Sequence, residues 1–554
     1  MLLLYPQLSE REGGFKRMDA KKTGKLISVL RKEKGMTQGE LAQELFVSDK
    51  TVSKWESGGG YPEIATLLQL SEILRVSVDF LLNCDEINEN NIAIAHEMYE
   101  FKGYTSGDHI SDEKALTESF VQTGKIEERL YVEYDVKKGL RDINGNGVRA
   151  GLTDISKVVG KKDINGEKRP CEGELYYRGY SIQDLVNGHD HSNNFGFEEV
   201  TYLLLTGKLP NSRELEDFCD ILSQKRVLPL NFIKDVIMKA PSADIMTSMS
   251  KSILALASYD SKANDTSLEN VMRQSLKLIA VMPVLAVSAY QSYEYYRNNK
   301  SLTLHHPRPD YSTAENILHM LRPDKRFTQT EARVLDAVLM LHAEHGGGNN
   351  STFTTHVVTS SGADTYAAIT AAMCSLKGPK HGGANLRVVE MFKDIKKNVS
   401  DTQNKNELEA YINKILNKEA FDRSGLVYGI GHAVYSLSDP RAEIMREYAR
   451  QLSAEKGLDS EFELYSNVEE IAVRCIMEKR KIYKGVSVNV DFYSGLAYSM
   501  LGIPEEIYTP LFAIARISGW SAHRLEELLN AGKIIRPEYK SVMVEKEYKS
   551  IDLR

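Results

Sequence analysis

Between Ala20 and Leu82 apolar residues recur at helical spacing in short bursts separated by turn residues. Leu26, Ile27, Val29 and Leu30 form the first stripe, and Gly35 stops it. Thr37 followed by Glu40 is a capping-box pattern that opens a second helix through Leu45. After the turn Phe46-Val47, Ser48 caps a third helix, Asp49 to Ser57, with Val52 and Trp55 inward and Gly58-Gly-Gly60 behind it. Leu67, Leu68, Leu70, Ile73, Leu74 and Phe80-Leu-Leu82 predict two more inward-facing helices, so residues 18–84 read as a five-helix unit. The polar stretch Asp85–Asn91 and the aperiodic Tyr104–Asp112 make 85–124 a partly helical linker. From 125 to 554 amphipathic segments recur at 197–205, 244–258, 268–282, 331–343, 364–376, 496–501 and 508–529, with short strands expected only near Glu174–Tyr177. The expected fold class is all-α, and this part is too long for one simple bundle. The longest apolar stretch, Leu278 to Ala289, is short and contains Pro283, so it reads as a buried core helix and not a membrane span.

Composition changes this picture little. The chain has 554 residues, 42% hydrophobic and 27% charged, which excludes collagen-like and disordered readings. A net charge of -7 excludes a uniformly basic nucleic-acid coat but leaves room for a local DNA-binding module. Five cysteines, at 84, 171, 219, 374 and 475, are odd in number and never form CxxC. A disulfide framework and a structural zinc site are therefore not expected, and reduced cytoplasm is the simplest compartment. Residues 1–17 are expected to be a non-native or disordered tail. Glu12-Gly13-Gly14 can be encoded by a ribosome-binding sequence, which makes Met18 the expected start of translation.

The phrase Thr37-Gln-x-x-Leu-Ala-x-x-Leu…Val-Ser-x-x-Thr-Val-Ser-x-Trp-Glu56 resembles the helix-turn-helix of the Cro/lambda-repressor-like family over most of residues 22–82. The resemblance implies that Asp49 to Lys54 enter a DNA major groove, with Lys50, Thr51, Ser53 and Lys54 outward and Gln38 approaching a phosphate. Residues 18–60 carry eight Lys/Arg against six Asp/Glu, so charge alone separates a DNA reader from a small protein-interaction module only weakly. Double-stranded DNA is the partner the motif favours.

In the larger part, polar residues interrupt the apolar pattern in four stretches: His342–Thr352, Lys377–Asn385, Gly429–Arg441 and Val488–Gly495. His342 and His345 share a helix face, but no further ligand accompanies them and Gly346–Gly348 break the helix at once, so no metal site is expected. His381 lies in a glycine-rich turn before a helix starting near Asn385; it is either a turn histidine or an imidazole kept neutral by the helix dipole, suited to hydrogen-bonding an enolate. Asp491 is either an N-cap or a general base. His432 follows Gly-x-Gly, a turn or a place where backbone N–H groups meet a ligand. Arg441, behind the cap Asp439 and Pro440, puts a cation at the positive end of a helix, and Arg516 sits in an apolar helix with no acid near it in sequence. Either an anionic ligand or a distant carboxylate must balance Arg516. Several such groups around one pocket would describe a di- or tricarboxylate site.

Taken together in order, these stretches resemble the citrate synthase family across roughly residues 140–545. Leu175–Ile182, Thr313–Leu318 and Gly519-Trp-Ser-Ala-His523 add to the match. The resemblance implies an all-α homodimer whose large domain and small domain (about 390–495) close over substrate. It implies that His381 stabilises the enolate of acetyl-CoA, Asp491 removes the methyl proton, and His432 polarises and protonates the oxaloacetate carbonyl. It further implies that His345, Arg441 and Arg516 hold the oxaloacetate carboxylates, with Arg536 reaching in from the partner subunit. Tyr428, Gly429, Ile430, Gly431 and Lys484 would contact CoA. Acetyl-CoA is a substrate, and no cofactor is implied. Gly346 after His345 and Lys380 before His381 depart from common family residues without removing a catalytic group. The expected function is citrate formation with an appended DNA-binding domain. Two alternatives stand beside it: a 2-methylcitrate synthase using propionyl-CoA, and a transcriptional regulator that senses metabolites on this scaffold.

Overall fold

The computed structural model describes residues 19–83, 87–88, 91–93, 95–96, 110–142, 147–190, 195–432, 434–480, 485–530 and 532–553. The expected tail 1–17, Met18, Cys84 and Lys484 lie outside them, as does much of the expected linker 85–124. The chain divides into two units, Met1–Glu133 and Tyr134–Arg554.

In the first unit the helices are α1 (Ala20–Glu33), α2 (Gln38–Glu44), α3 (Asp49–Glu56), α4 (Ile64–Leu74) and α5 (Val78–Asn83), followed by Ile110–Gly124 and Glu128–Glu133. The Thr37–Glu40 capping box forms in both directions, and Ser48 accepts from the Thr51 N–H. Leu26, Ile27, Leu30, Leu41, Val52, Trp55, Leu70 and Leu74 make the core. Leu68, expected inward, is 58% exposed. Leu67, Leu70 and Leu74 already fill the inward stripe of α4, and Leu68 falls about 100° round the helix from Leu67. Arg31, 6% exposed, forms a two-pronged pair with Glu56 (2.6 and 3.0 Å) that ties α1 to the end of α3. The two helices approach so closely that a Cβ on Gly24 would lie 1.9 Å from the Trp55 carbonyl oxygen.

The second unit is helical apart from one three-stranded antiparallel sheet in the order β1 (Ser156–Ile164), β2 (Glu167–Tyr177), β3 (Tyr180–Ser181). The sheet is larger than the short strand expected near Glu174–Tyr177. Its β1–β2 turn is Asn165-Gly166, both at positive φ (57° and 84°), two-residue hairpin chemistry between exposed strand ends. The sheet lies against the loop after His432: a Cβ on Gly160 would be 2.3 Å from the Val434 oxygen, and one on Gly173 2.3 Å from that of Ser438. The apolar segment expected to end at 282 continues as one helix, Leu268–Asn298, through Pro283. Residues Leu278 to Ala289 are all buried, so packing on every side sustains the helix despite the missing hydrogen bond. It is the one helix among the described residues long and apolar enough to cross a membrane, and most of its apolar span is buried within the protein.

Most of the remaining helices share one hydrophobic core with Leu268–Asn298, and Asn350–Ser360 buries only Ser and Thr side chains. Among them, Gln329–His342, Asn350–Ser360 and Tyr508–Asn530 bring polar residues inward, as do Pro440–Lys456 and Val490–Met500. Gly24→Ala tests the close approach in the first unit. We expect a loss of about 1–3 kcal/mol in that unit, read as faster hydrogen exchange in peptides from 20–56 with the second unit unchanged.

Candidate active site

The helix Tyr508–Asn530 supplies one wall. Phe512, Arg516, Gly519, Trp520 and His523 recur at three- and four-residue steps and so share a face. Arg516 is fully buried; its Nε donates to the His342 carbonyl at 2.6 Å, and its Nη1 has no hydrogen-bond partner. Burial pulls its pKa down to about 10, against the opposing influence of Glu344. Among the described residues no carboxylate lies within 4.0 Å of it, so the distant-salt-bridge alternative does not hold. The Phe512 ring lies 4.6 Å from the guanidinium and 4.5 Å from the His342 ring.

The turn after His342 supplies the second wall. His342 bonds the Val338 carbonyl through Nδ1 (2.8 Å), and its Nε2, like that of His345, is buried without a partner. Burial takes His342 to about 3, and burial with Arg441 holds His345 well below its ordinary value, so both rings are neutral. Tyr177 fixes this turn: its hydroxyl donates to the Glu344 carbonyl at 2.9 Å. The cross-strand neighbour of Tyr177, Ser156, donates to the Glu344 carboxylate at 2.9 Å.

His345 brings the third element in, its ring 5.2 Å from that of His432. The backbone N–H groups of Val434 and Tyr435 donate to His432 Nδ1 at 3.0 and 3.1 Å. Nδ1 is thus an acceptor, and the neutral ring (pKa about 4, from burial and Arg441) carries its proton on Nε2. Gly429, at φ 80°, is required here: a Cβ would lie 2.8 Å from the Phe492 ring. The 429–431 turn is locked to the segment before Asp491 by Gly431 N–H to Ser487, Asn489 N–H to Gly429 and Asn489 Nδ2 to Gly431, at 2.8–3.0 Å.

Asp491 is not the N-cap of its helix. Asn489 is, accepting from the Asp491 N–H at 3.1 Å. Among the described residues the Asp491 carboxylate has no hydrogen bond, and burial raises its pKa to about 6, with Arg441 and Arg516 among the charges it feels. His381 has a pKa of about 4, from burial first and the Arg516 charge second, so the expected neutral state arises mainly from burial. Its Nε2 lies 3.1 Å from Ser351 Oγ, which also accepts from Trp520 Nε1 (3.1 Å). The Ser351 hydroxyl proton has two possible acceptors, Asn349 Oδ1 and His381 Nε2; when it turns to His381, the ring proton sits on Nδ1.

Arg441 has an anionic partner at its own helix start. Asp439, the cap itself, takes Nε and Nη2 at 3.0 and 2.8 Å, so the protein supplies the anion that the helix terminus demands. The Tyr428 hydroxyl donates to Asp422 at 2.6 Å. Arg536 lies exposed on the extended C-terminal segment, with no hydrogen bond or ion pair among the described residues. The described residues contain no metal-holding group of three or more His, Cys, Asp or Glu. Of two grooves in this unit, about 700 and 590 Å³, neither is lined by His345, His381, His432, Asp491, Arg441 or Arg516, although the second reaches Asp439, the partner of Arg441, and Ser487 and Val488 before Asp491. Unpartnered buried groups mark the site.

In the first unit Lys50, Ser53 and Lys54 are exposed along α3, and Thr51 is half-exposed with its hydroxyl 2.8 Å from Ser48 Oγ. The Gln38 amide donates to Glu56 at 2.7 Å, joining the Arg31 pair.

Residues 143–538 match the sequence profile of the citrate synthase C-terminal domain. The chain belongs to the citrate synthase family. Residues 27–81 match a helix-turn-helix profile, so this citrate synthase family member carries that second module at its N-terminal side. It is 35% identical over 408 residues to 2-methylcitrate synthase 2 of Corynebacterium glutamicum, covering 73% of this chain and 94% of that one. It is 34% identical over 394 residues to citrate synthase 2 of Bacillus subtilis (71% and 93% covered). Its structure resembles a ternary complex of the Thermoplasma acidophilum citrate synthase with carboxymethyl coenzyme A and oxaloacetate, at TM-score 0.61 and 27% identity over 75% of this chain and 98% of that one.

Sequence reasoning about this citrate synthase family member missed Ser351, Tyr177 and the partners of Glu344. Ser351 and Glu344 stood inside a motif already singled out, but their roles depend on partners such as Trp520 and Ser156, 169 and 188 residues away in the chain. The raised Asp491 pKa carries a sign. A carboxyl that titrates higher in the folded state than its ordinary 3.8 contributes stability fully below 3.8, and this is lost as pH rises through about 6. Asp491→Asn is expected to raise the melting temperature at pH 7.5 and to flatten the stability slope between pH 4 and 6, measured by calorimetry across that range.

Proposed function

We propose that this chain condenses acetyl-CoA with oxaloacetate to give citrate and CoA. Support comes from one observation above all: a fully buried guanidinium with a free N–H and a carboxylate with no hydrogen bond among the described residues feel each other's charge, among imidazoles kept neutral. Arg516, Arg441 and His345 receive the oxaloacetate carboxylates; Arg441 remains charged beside Asp439 and balances a second anion less strongly than Arg516 does. Asp491 takes a proton from the thioester methyl group, and His381 donates its Nδ1–H to the thioester oxygen as it becomes an enolate oxygen. The enolate carbon then attacks the oxaloacetate ketone carbon, while His432 donates Nε2–H to the oxygen that becomes the tertiary alkoxide. Water cleaves the resulting citryl thioester and CoA leaves as the thiol. A base near pH 6 is weak against a carbon acid, so the chemistry depends on the hydrogen bond to the enolate and on exclusion of water.

In this reading the enzyme works as a homodimer in which Arg536 completes the partner's site, and Tyr428–Gly431 and Lys484 hold CoA. The C. glutamicum relative favours a second reading, in which propionyl-CoA is the acyl donor and 2-methylcitrate the product; one methylene in an apolar pocket separates the two by only about 1–3 kcal/mol. Thiol release measured with oxaloacetate and either acyl-CoA decides between them. We expect release that depends on oxaloacetate and is faster with acetyl-CoA, with Asp491→Asn slower by about 10²–10⁴-fold. No release with either donor rejects both enzymatic readings and leaves a metabolite sensor.

The α3 surface supports double-stranded DNA as a further partner, with two copies on a two-fold scaffold reading a palindromic site. Gel shifts on genomic fragments at low salt, with and without oxaloacetate plus CoA, are expected to give a retarded band that Lys50→Ala/Lys54→Ala weakens. No band at all ends this reading.

A further inference from the structure

Glu344 and Arg516 present a physical puzzle. Both side chains are fully buried, carry opposite charges, and influence each other electrostatically. Each keeps one buried atom, Glu344 Oε2 and Arg516 Nη1, without a hydrogen-bond partner. In a low-dielectric interior such a pair is drawn into contact, yet the two do not approach within 4.0 Å. Something holds the carboxylate back.

The restraint is visible on the other carboxylate oxygen. Glu344 Oε1 accepts from Ser156 Oγ (2.9 Å), the Gly346 N–H (2.5 Å) and His523 Nε2 (3.0 Å). His523 is fully buried, and its Nδ1 faces His356 Nε2 at 3.2 Å and Glu526 at 3.7 Å. His356 Nδ1 in turn meets Glu527 at 2.7 Å. One cation shared by the two rings satisfies every contact, and His523, with the carboxylates of Glu344 and Glu526 beside it against Glu527 alone beside His356, is the ring better placed to carry it. A cationic His523 then donates from both nitrogens, to Glu344 and to His356, and a neutral His356 donates onward to Glu527. The titration directions agree: the carboxylates Glu344 and Glu526 overcome burial and raise His523 to about 9, whereas burial and the His523 charge lower His356. Gly519, between Arg516 and His523, lets this helix close on the turn, since a Cβ there would lie 2.2 Å from Glu344 Oε2.

We propose that His523 is a positioning residue whose imidazolium holds the Glu344 carboxylate away from Arg516, reserving that guanidinium for the anionic substrate. This rests on the reading of Arg516 as a ligand for an oxaloacetate carboxylate. Removal of the cation frees Glu344 to pair with Arg516, and substrate then competes with an internal anion. The loss falls on binding, not on the bond-making step.

The test is a double-mutant cycle on the full-length chain, with KM for oxaloacetate and kcat read by thiol release. His523→Gln is expected to raise KM by roughly 10-fold or more while leaving kcat within about 3-fold. His523→Gln/Glu344→Gln, which removes the competing anion as well, is expected to return KM to within about 3-fold of wild type. An unchanged KM in His523→Gln, or a double variant no better than the single, overturns the proposal and leaves the network a structural one. Should His523→Gln fail to fold, Ser156→Ala loosens the same carboxylate from the rim; a KM rise of about 3-fold that Glu344→Gln cancels supports the proposal, and no rise overturns it. A wild-type chain that releases no CoA with oxaloacetate defeats the enzymatic reading itself, and this inference with it. An active wild type with an unresponsive His523→Gln defeats only this inference.

Discussion

An unsatisfied guanidinium in the protein interior is the constraint around which the second unit is organised. Arg516 sits on an apolar helix where water cannot reach it, and the described residues give it one carbonyl and an aromatic face but no contacting carboxylate. A charge held in this way costs folding free energy that must be recovered elsewhere, here through the large shared core and the bonds that clamp the neighbouring turn. The same deficit makes the place receptive to an anion. The neutral histidines share its cause: burial disfavours their protonated form first, and the charge of Arg441 beside His345 and His432, or of Arg516 beside His381, adds to it.

The polar environment is graded. Arg441 has its own carboxylate and so contributes directionality with little unbalanced charge, whereas Arg516 contributes the unbalanced charge. Asp491 has no hydrogen bond among the described residues, and burial leaves it ionised at neutral pH yet more basic than a solvated aspartate. Hydrogen bonds from two backbone amides orient His432, and its tautomer is therefore set by the chain fold and not by a side chain that substitution can remove.

Much of this was legible in the sequence, for reasons that can be named. Capping chemistry is local, so the Thr37–Glu40 box, the Ser48 cap and the Asp439-Pro440 helix start were readable from adjacent residues. The inward polar residues were readable because they broke an apolar period. What was not readable is pairwise and distant: Glu344 and His523 are 179 residues apart, and nothing local in either marks the other. Asp491 shows the intermediate case, since two neighbouring residues could cap the same helix and only the backbone geometry chooses Asn489. The Asn165-Gly166 turn is a local hairpin signal, but its flanks, Lys161–Ile164 and Glu167–Arg169, are exposed and mostly charged, so no apolar alternation marks them as strands.

The turn bearing His432 and the segment bearing Asp491 are joined by backbone hydrogen bonds, a bridge between Ile430 and Val488, and the packing of Phe492 where Gly429 has no side chain. Such a seam cannot slide without breaking several bonds at once. In the proposed reaction the proton acceptor and the alkoxide's hydrogen-bond donor therefore share a single mechanical fate: any rearrangement that withdraws one withdraws the other, and that reaction has no posture in which a carbanion forms while its electrophile goes unactivated.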